Sequence, residues 1–127
     1  MTRNKLAPGE KPLHWLGSAY RELKELPEVV QDEFGHALSV AQFGKKHPNA
    51  KPWHGEGPGV FELVEDHRGD TYRAVYTVRF KQANYVLHVF QKKSTTGIKT
   101  ARKDKELITQ RMKSALLHYE EHYGKDI

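Results

Sequence analysis

A chain of 127 residues, 37% apolar and 29% charged, is one domain by length, with room for a single modest core and not for two. It has no cysteine, which excludes disulfides and thiolate metal sites and makes a reducing cytoplasm the simplest home. No apolar run reaches the length of a membrane span and the first residues lack the apolar core of a signal peptide, so no membrane partner is expected. The net charge of +5 is unevenly placed: residues 1–80 carry 11 basic and 11 acidic side chains, residues 81–127 carry 10 and 5. Within that second part, Lys92, Lys93, Lys99, Arg102, Lys103 and Lys105 are opposed only by Asp104. Such a cluster is either a solvated basic face or an electrostatic footprint for nucleic acid or an acidic protein.

In chain order, Met1 to Lys11 is polar, carries Pro8-Gly9 and reads as a flexible tail. Residues 12–16 suit a short strand. Gly17-Ser18 supplies a turn and an N-cap for a brief helix over 19–26. Pro27 opens the first turn of a second helix, with Val30, Phe34, Ala37, Leu38 and Ala41 on one face, and Gly44 stops it. A loop over 45–59, rich in Pro, Gly, Lys and His, follows. Three strands are predicted over 60–66, 71–80 and 85–92, joined by turns at His67-Arg-Gly-Asp70 and Lys81-Gln-Ala-Asn84. A basic loop over 94–100 leads to a third helix over 103–122, with Leu107, Ile108, Met112, Ala115, Leu116 and Tyr119 at helical spacing. The order strand, helix, helix, three strands, helix makes an α+β domain with its helices grouped around a small, mostly antiparallel sheet.

The strand over 71–80 carries the chemistry. Tyr72, Ala74, Tyr76, Val78 and Phe80 fall on one pleat; Thr71, Arg73, Val75, Thr77 and Arg79 fall on the other. Two arginines on one sheet face imply an anionic partner or a face open to water. The last strand then runs into Lys92 and Lys93, so cations gather at the sheet's end, as suits a phosphate chain. His54, in the Trp53-His54-Gly55 loop, and His67 flank the second strand and could act as acid or base; each is more often a surface histidine, and His88, on the opposite pleat from Leu87 and Val89, more often a packing one. His118 and His122 could share a helix face, but no third ligand is placed for zinc, and 66–70 is too short for a calcium loop; no cofactor is expected. Trp15, Phe34, Phe61, Tyr76, Phe80 and Phe90 read as core. Trp53 and Tyr72 are either buried against the helices or available to stack a base.

Several strings together resemble a known family: Trp15-Leu-Gly-Ser-Ala-Tyr-Arg-Glu-Leu, Leu26-Pro-Glu-Val-Val, Phe34-Gly-His-Ala-Leu, Gly59-Val-Phe-Glu-Leu, Tyr72-Arg-Ala-Val-Tyr, Phe90-Gln-Lys-Lys-Ser and Gly97-Ile-Lys-Thr. In order and spacing they resemble the phage-derived, HigB-type toxins of the RelE/ParE superfamily, from about Leu13 to Arg111. The resemblance implies a single RelE-like domain over 1–127, with residues 1–11 as its tail. It implies the toxin of a type II toxin–antitoxin system: a hydrolase and mRNA interferase that cuts messenger RNA, usually on the ribosome. The partner it implies is a co-expressed antitoxin, expected to be a helix-turn-helix protein. ParE-like members of a similar scaffold poison DNA gyrase instead, and a plain nucleic-acid-binding module is a further alternative.

By that resemblance Arg73 matches the arginine after the strand tyrosine in the ribonuclease branch, and Lys92 and Lys93 match the basic pair ending the last strand. Arg73 would hold phosphate oxygens through its guanidinium fork; Lys93 and Lys92 would share that role or supply a base. Glu62 would be a base or the holder of Arg73, and His54 a further acid or base. Arg79, Lys99, Arg102 and Lys103 would contact RNA. Two departures stand out: Val64 follows Glu62-Leu63 where the family commonly has arginine, and the loop after the last strand lacks a base-stacking tyrosine. Ala101 also stands where relatives often have proline.

Overall fold

The β-hairpin at the centre of the chain organises the rest. Between β3 (Val60–His67) and β4 (Asp70–Thr77), Arg68 and Gly69 both adopt positive φ, 51° and 86°, the pair of left-handed residues that a two-residue hairpin turn with matching twist requires. The structure, a computed structural model, describes residues 5–92 and 98–125, with side chains in the last helix from Arg102 on. β5 (Asn84–Lys92) pairs antiparallel with β4, β1 (Leu13–Trp15) pairs parallel with the start of β5, and β2 (Ala50–Pro52) pairs antiparallel with β3. The sheet order is β1-β5-β4-β3-β2. This is the expected α+β architecture, with one strand the sequence did not suggest.

Helices cover both faces. Against one lie α1 (Ala19–Lys24) and α2 (Glu28–Gln42), whose Leu23, Val30, Phe34, Leu38 and Ala41 pack on Leu63, Tyr72, Ala74, Tyr76, Val86 and Val89. Against the other lies α3 (Ile98–Tyr123), whose Ile108, Met112, Ala115 and Tyr119 pack on Val60, Val75, Tyr85 and Leu87. The apolar spacing of α2 is realised in full. On α3, Leu116, expected on the apolar stripe, is exposed, as is Leu117.

Several local expectations change. β4 ends at Thr77, three residues early, because Val78 N–H and the Thr77 hydroxyl both donate to Gly59 O and turn the chain. Val78 stays with the α1/α2 face, while Phe80 crosses to the α3 face and stacks on Tyr119 at 4.7 Å. In β5 a bulge leaves Leu87 without an opposite residue, between the pairs Val75↔His88 and Tyr76↔Val86, so both Leu87 and His88 turn to α3. Pro27 stands at the N-cap of α2 rather than inside its first turn. Ser18 occupies the N-cap position of α1, but its hydroxyl donates to Glu22 instead of capping the helix. Before β1, Lys11 N–H donates to Gln42 O, Gln42 Nε2 donates back to Lys11 O, and Glu10 is buried.

Candidate nucleic-acid interface

The buried side chains of α3 lie over the middle of the sheet. Towards the β3–β4 turn the same face carries Glu62, Val64 and Asp66 on β3, Thr71 and Arg73 on β4, and Phe90 and Lys92 on β5, all half-buried or exposed. Arg73 is at the centre of this patch, opposite Val64 on one side and Phe90 on the other. Its Nη1 donates to Glu62 Oε1, with the two side chains 22% and 15% exposed. Arg73 Nε is buried and meets no hydrogen-bond acceptor among the described residues. A half-buried guanidinium anchored at one nitrogen keeps further donors for a phosphate oxygen. Lys92, opposite Thr71, is Arg73's diagonal neighbour on that face, where Cα atoms lie roughly 7–8 Å apart. Thr71 donates its hydroxyl to Asp66, so a carboxylate tempers the positive rim.

Other candidates sit elsewhere. Arg102 and Lys103 are exposed on the first described turns of α3. Lys93, and the side chain of Lys99, lie outside the described residues. Arg79 is turned inward: its Nη2 donates to Glu56 O and its Nε to Pro58 O at 3.2 Å, pinning the loop before β3. His54 lines a shallow depression with Trp53 at the opposite end of β3. Trp53 pairs at Val60 and Arg73 at Val64, so His54 is separated from Arg73 by roughly 13 Å of strand. Tyr72 is buried against the helices, and Trp53 packs partly against the α3 cluster.

Beside the patch lies a polar network that periodicity did not disclose. β1 ends opposite Val86, leaving the rest of β5 as an open edge, and Glu22 of α1 closes it. Glu22 Oε1 accepts from Val89 N–H at 3.0 Å and from Arg111 Nη1 at 3.1 Å. Arg111 Nη1 also donates to Leu87 O at 2.9 Å, and its Nη2 to Ser18 Oγ at 2.9 Å. His88 bridges the layers, with Nδ1 3.0 Å from Glu22 and Nε2 2.8 Å from Asp104, while its ring stacks on Phe90 at 4.5 Å. Burial alone would raise the Glu22 pKa; the hydrogen bonds from His88, Arg111 and Val89 outweigh it and hold the carboxyl at about 2. Gly17 makes room: its φ is +54° and a Cβ there would meet Arg111 Nε at 3.1 Å. The available signal was Arg111 itself, a charge on the buried stripe of α3 between Ile108 and Met112.

A second cluster joins β1 to the end of α3. His118 Nδ1 is 2.7 Å from the Tyr85 hydroxyl, His14 Nε2 is 2.9 Å from that of Tyr123, and His118 stacks on His122 at 4.0 Å. Burial, then neighbouring histidine charge, lowers the pKa of His14 and of His118. Among the described residues no group of three side chains could hold a metal, and no helix is long and apolar enough to cross a membrane.

The fold is similar to that of the E. coli toxin RelE, in a mutant in the free state, at 19% identity and a TM-score of 0.52, covering 83% of this chain and 97% of that one. The toxin-antitoxin complex RelBE2 from Mycobacterium tuberculosis is also similar, at 22% identity and a TM-score of 0.43, covering 65% of this chain and 99% of that one. No curated protein matches the chain. Residues 21–113 match the family described as Phage derived protein Gp49-like (DUF891), a stretch that runs from α1 into α3 and contains the Arg73 patch. On that match the chain, a RelE-like α+β domain, belongs to the phage-derived Gp49-like family.

Proposed function

We propose that this protein is the toxin of a type II toxin–antitoxin pair, of HigB type, acting in the cytoplasm as a metal-independent endoribonuclease on messenger RNA, with the ribosome as the setting and a helix-turn-helix antitoxin as its inhibitor. The observation that carries this reading is Arg73, half-buried and ion-paired to Glu62, its Nε without an acceptor among the described residues, on a sheet face that ends in Lys92. Cleavage needs the 2′-hydroxyl of RNA to attack the adjacent phosphorus and expel the 5′-oxygen. Arg73 and Lys92 would stabilise the added charge on the phosphorane. Of Lys92 and Lys93, the one present as a neutral amine would take the 2′-hydroxyl proton and return one to the leaving oxygen, while the other stays a cation. Glu62, engaged by Arg73, is assigned to holding the guanidinium.

The test is purified protein with a messenger RNA, with and without ribosomes, followed by end-group analysis. Free RNA is expected to be cut in EDTA, leaving a 2′,3′-cyclic phosphate and a 5′-hydroxyl. Products with a 5′-phosphate, or loss of activity in EDTA on free RNA, would overturn the mechanism. With ribosomes the end groups decide, because EDTA dismantles the ribosome. Val64, standing where the resembled family has arginine, favours a second reading: a non-catalytic poison of DNA gyrase or a nucleic-acid-binding module on the same scaffold. That reading predicts growth arrest with intact messenger RNA.

A further inference from the structure

The face of the sheet turned away from Arg73 holds a second basic feature. Where α2 ends, a cleft of about 250 Å³ opens between the helix terminus and β3–β4, lined by Lys11, Lys45, Lys46, Phe61, Tyr76 and Val78 among others, none of them acidic. None of the three lysines forms an ion pair among the described residues. Lys11 Nζ donates to Phe80 O at 3.3 Å, and the Lys46 ammonium stands over the Phe61 ring at 5.5 Å from its centroid. Three like charges lining one cleft make it attractive to an anion.

We propose that this cleft docks a segment of a partner protein in which one aliphatic side chain is flanked by carboxylates. The floor decides between occupants. It is apolar, and burial raises the Tyr76 hydroxyl to about 12, so the floor carries no negative charge. Its volume suits a single leucine- or isoleucine-sized group with its backbone at the rim. A nucleobase would need a free aromatic face, and the Phe61 ring is already under Lys46. Lysines line the rim, where carboxylates flanking the anchor would meet them, and Phe43, 44% exposed one residue before Gly44 of the cleft, extends apolar surface beside it. A partner held here leaves the Arg73 patch open, so this inference stands or falls apart from the ribonuclease reading.

The experiment selects a random peptide library, displayed on phage, on the folded protein and counter-selects on Lys45→Glu/Lys46→Glu. Enriched sequences are expected to carry an aliphatic residue flanked by Asp or Glu. A soluble peptide made from them should bind the double variant at least roughly tenfold more weakly, about 1.4 kcal/mol. Replacing its aliphatic residue by alanine should weaken binding comparably, and amide signals of residues 44–46, 61 and 78 should shift in the wild-type protein. Single-stranded RNA should not displace it. No shared sequence, uncharged or basic winners, undiminished binding to the double variant, shifts that map elsewhere, or displacement by RNA would each overturn the proposal. Both lysines are exposed, so circular dichroism of the variant should match the wild type.

Discussion

Arg73 and Glu62 are partners before they meet any substrate, and that determines which substitutions inform. Alanine at 73 would strand a carboxylate that is only 15% exposed, a loss that can reach several kcal/mol and confuses folding with function. Arg73→Lys keeps a cation near Glu62 and removes the planar fork. It is expected to lower RNA cleavage by about 10²–10³-fold, the scale of losing one preorganised donor, with a thermal midpoint within a few degrees of wild type. Cleavage close to wild type would remove Arg73 from the reaction. Glu62→Gln tests the neighbour, because an amide oxygen still accepts from Arg73 Nη1. Most activity should survive; a loss as deep as that of Arg73→Lys would make Glu62 the base rather than the holder.

At the scale of elements, the exposed edge of β5 is closed by a side-chain network instead of another strand. Below its ordinary pKa of 4.5, Glu22 in the unfolded chain takes a proton, whereas in the fold it takes one only near pH 2. Its stabilisation is therefore complete above about pH 4.5 and drains away as pH falls towards 2. Glu22→Gln should cost on the order of 2 kcal/mol at neutral pH, after discounting for partial exposure, and should shallow the acid-unfolding slope in that window. An unchanged slope would show that the network contributes nothing net. The sequence disclosed the elements well where periodicity was long: α2, the hairpin and the body of α3. It missed β2, because Ala50-Lys51-Pro52 is too short to show alternation and its pairing with β3 comes from tertiary contact. It set His88 opposite both Leu87 and Val89; His88 does lie opposite Val89, but the bulge, which has no local signature, brings Leu87 onto the same face. Of the candidate site, Arg73, Glu62 and Lys92 were legible as charges on one strand face or at its end. The Glu22–Arg111 closure, made by residues 89 apart, was not.

Across the whole molecule, acid and salt probe different halves of the design. Proton uptake by His14 and His118 is disfavoured in the fold, so stability contributed by their neutral forms is present above about pH 6.5 and lost as pH falls towards their lowered folded values. His118→Gln should flatten the stability curve just below pH 6.5 while leaving the Glu22 window in place, as followed by thermal melts at stepped pH; an unaltered curve would exclude the cluster. Salt reads the charge excess, which lies wholly beyond residue 80. Arg102 and Lys103 are exposed beside the point where Asp104 fixes α3 to His88, so a phosphate chain crossing the Arg73 patch could continue along them. If they and Lys99 each neutralise one phosphate, replacing all three by glutamine should reduce the slope of log K against log salt by about 2, at about 0.7 per contact for single-stranded RNA. Binding should weaken at low salt and converge with wild type at high salt, while the single-turnover cleavage rate at saturating RNA stays near that of wild type. A slope that does not move would assign these cations to solvent or to the protein partner, and would leave Arg73 and the end of β5 as the RNA contacts.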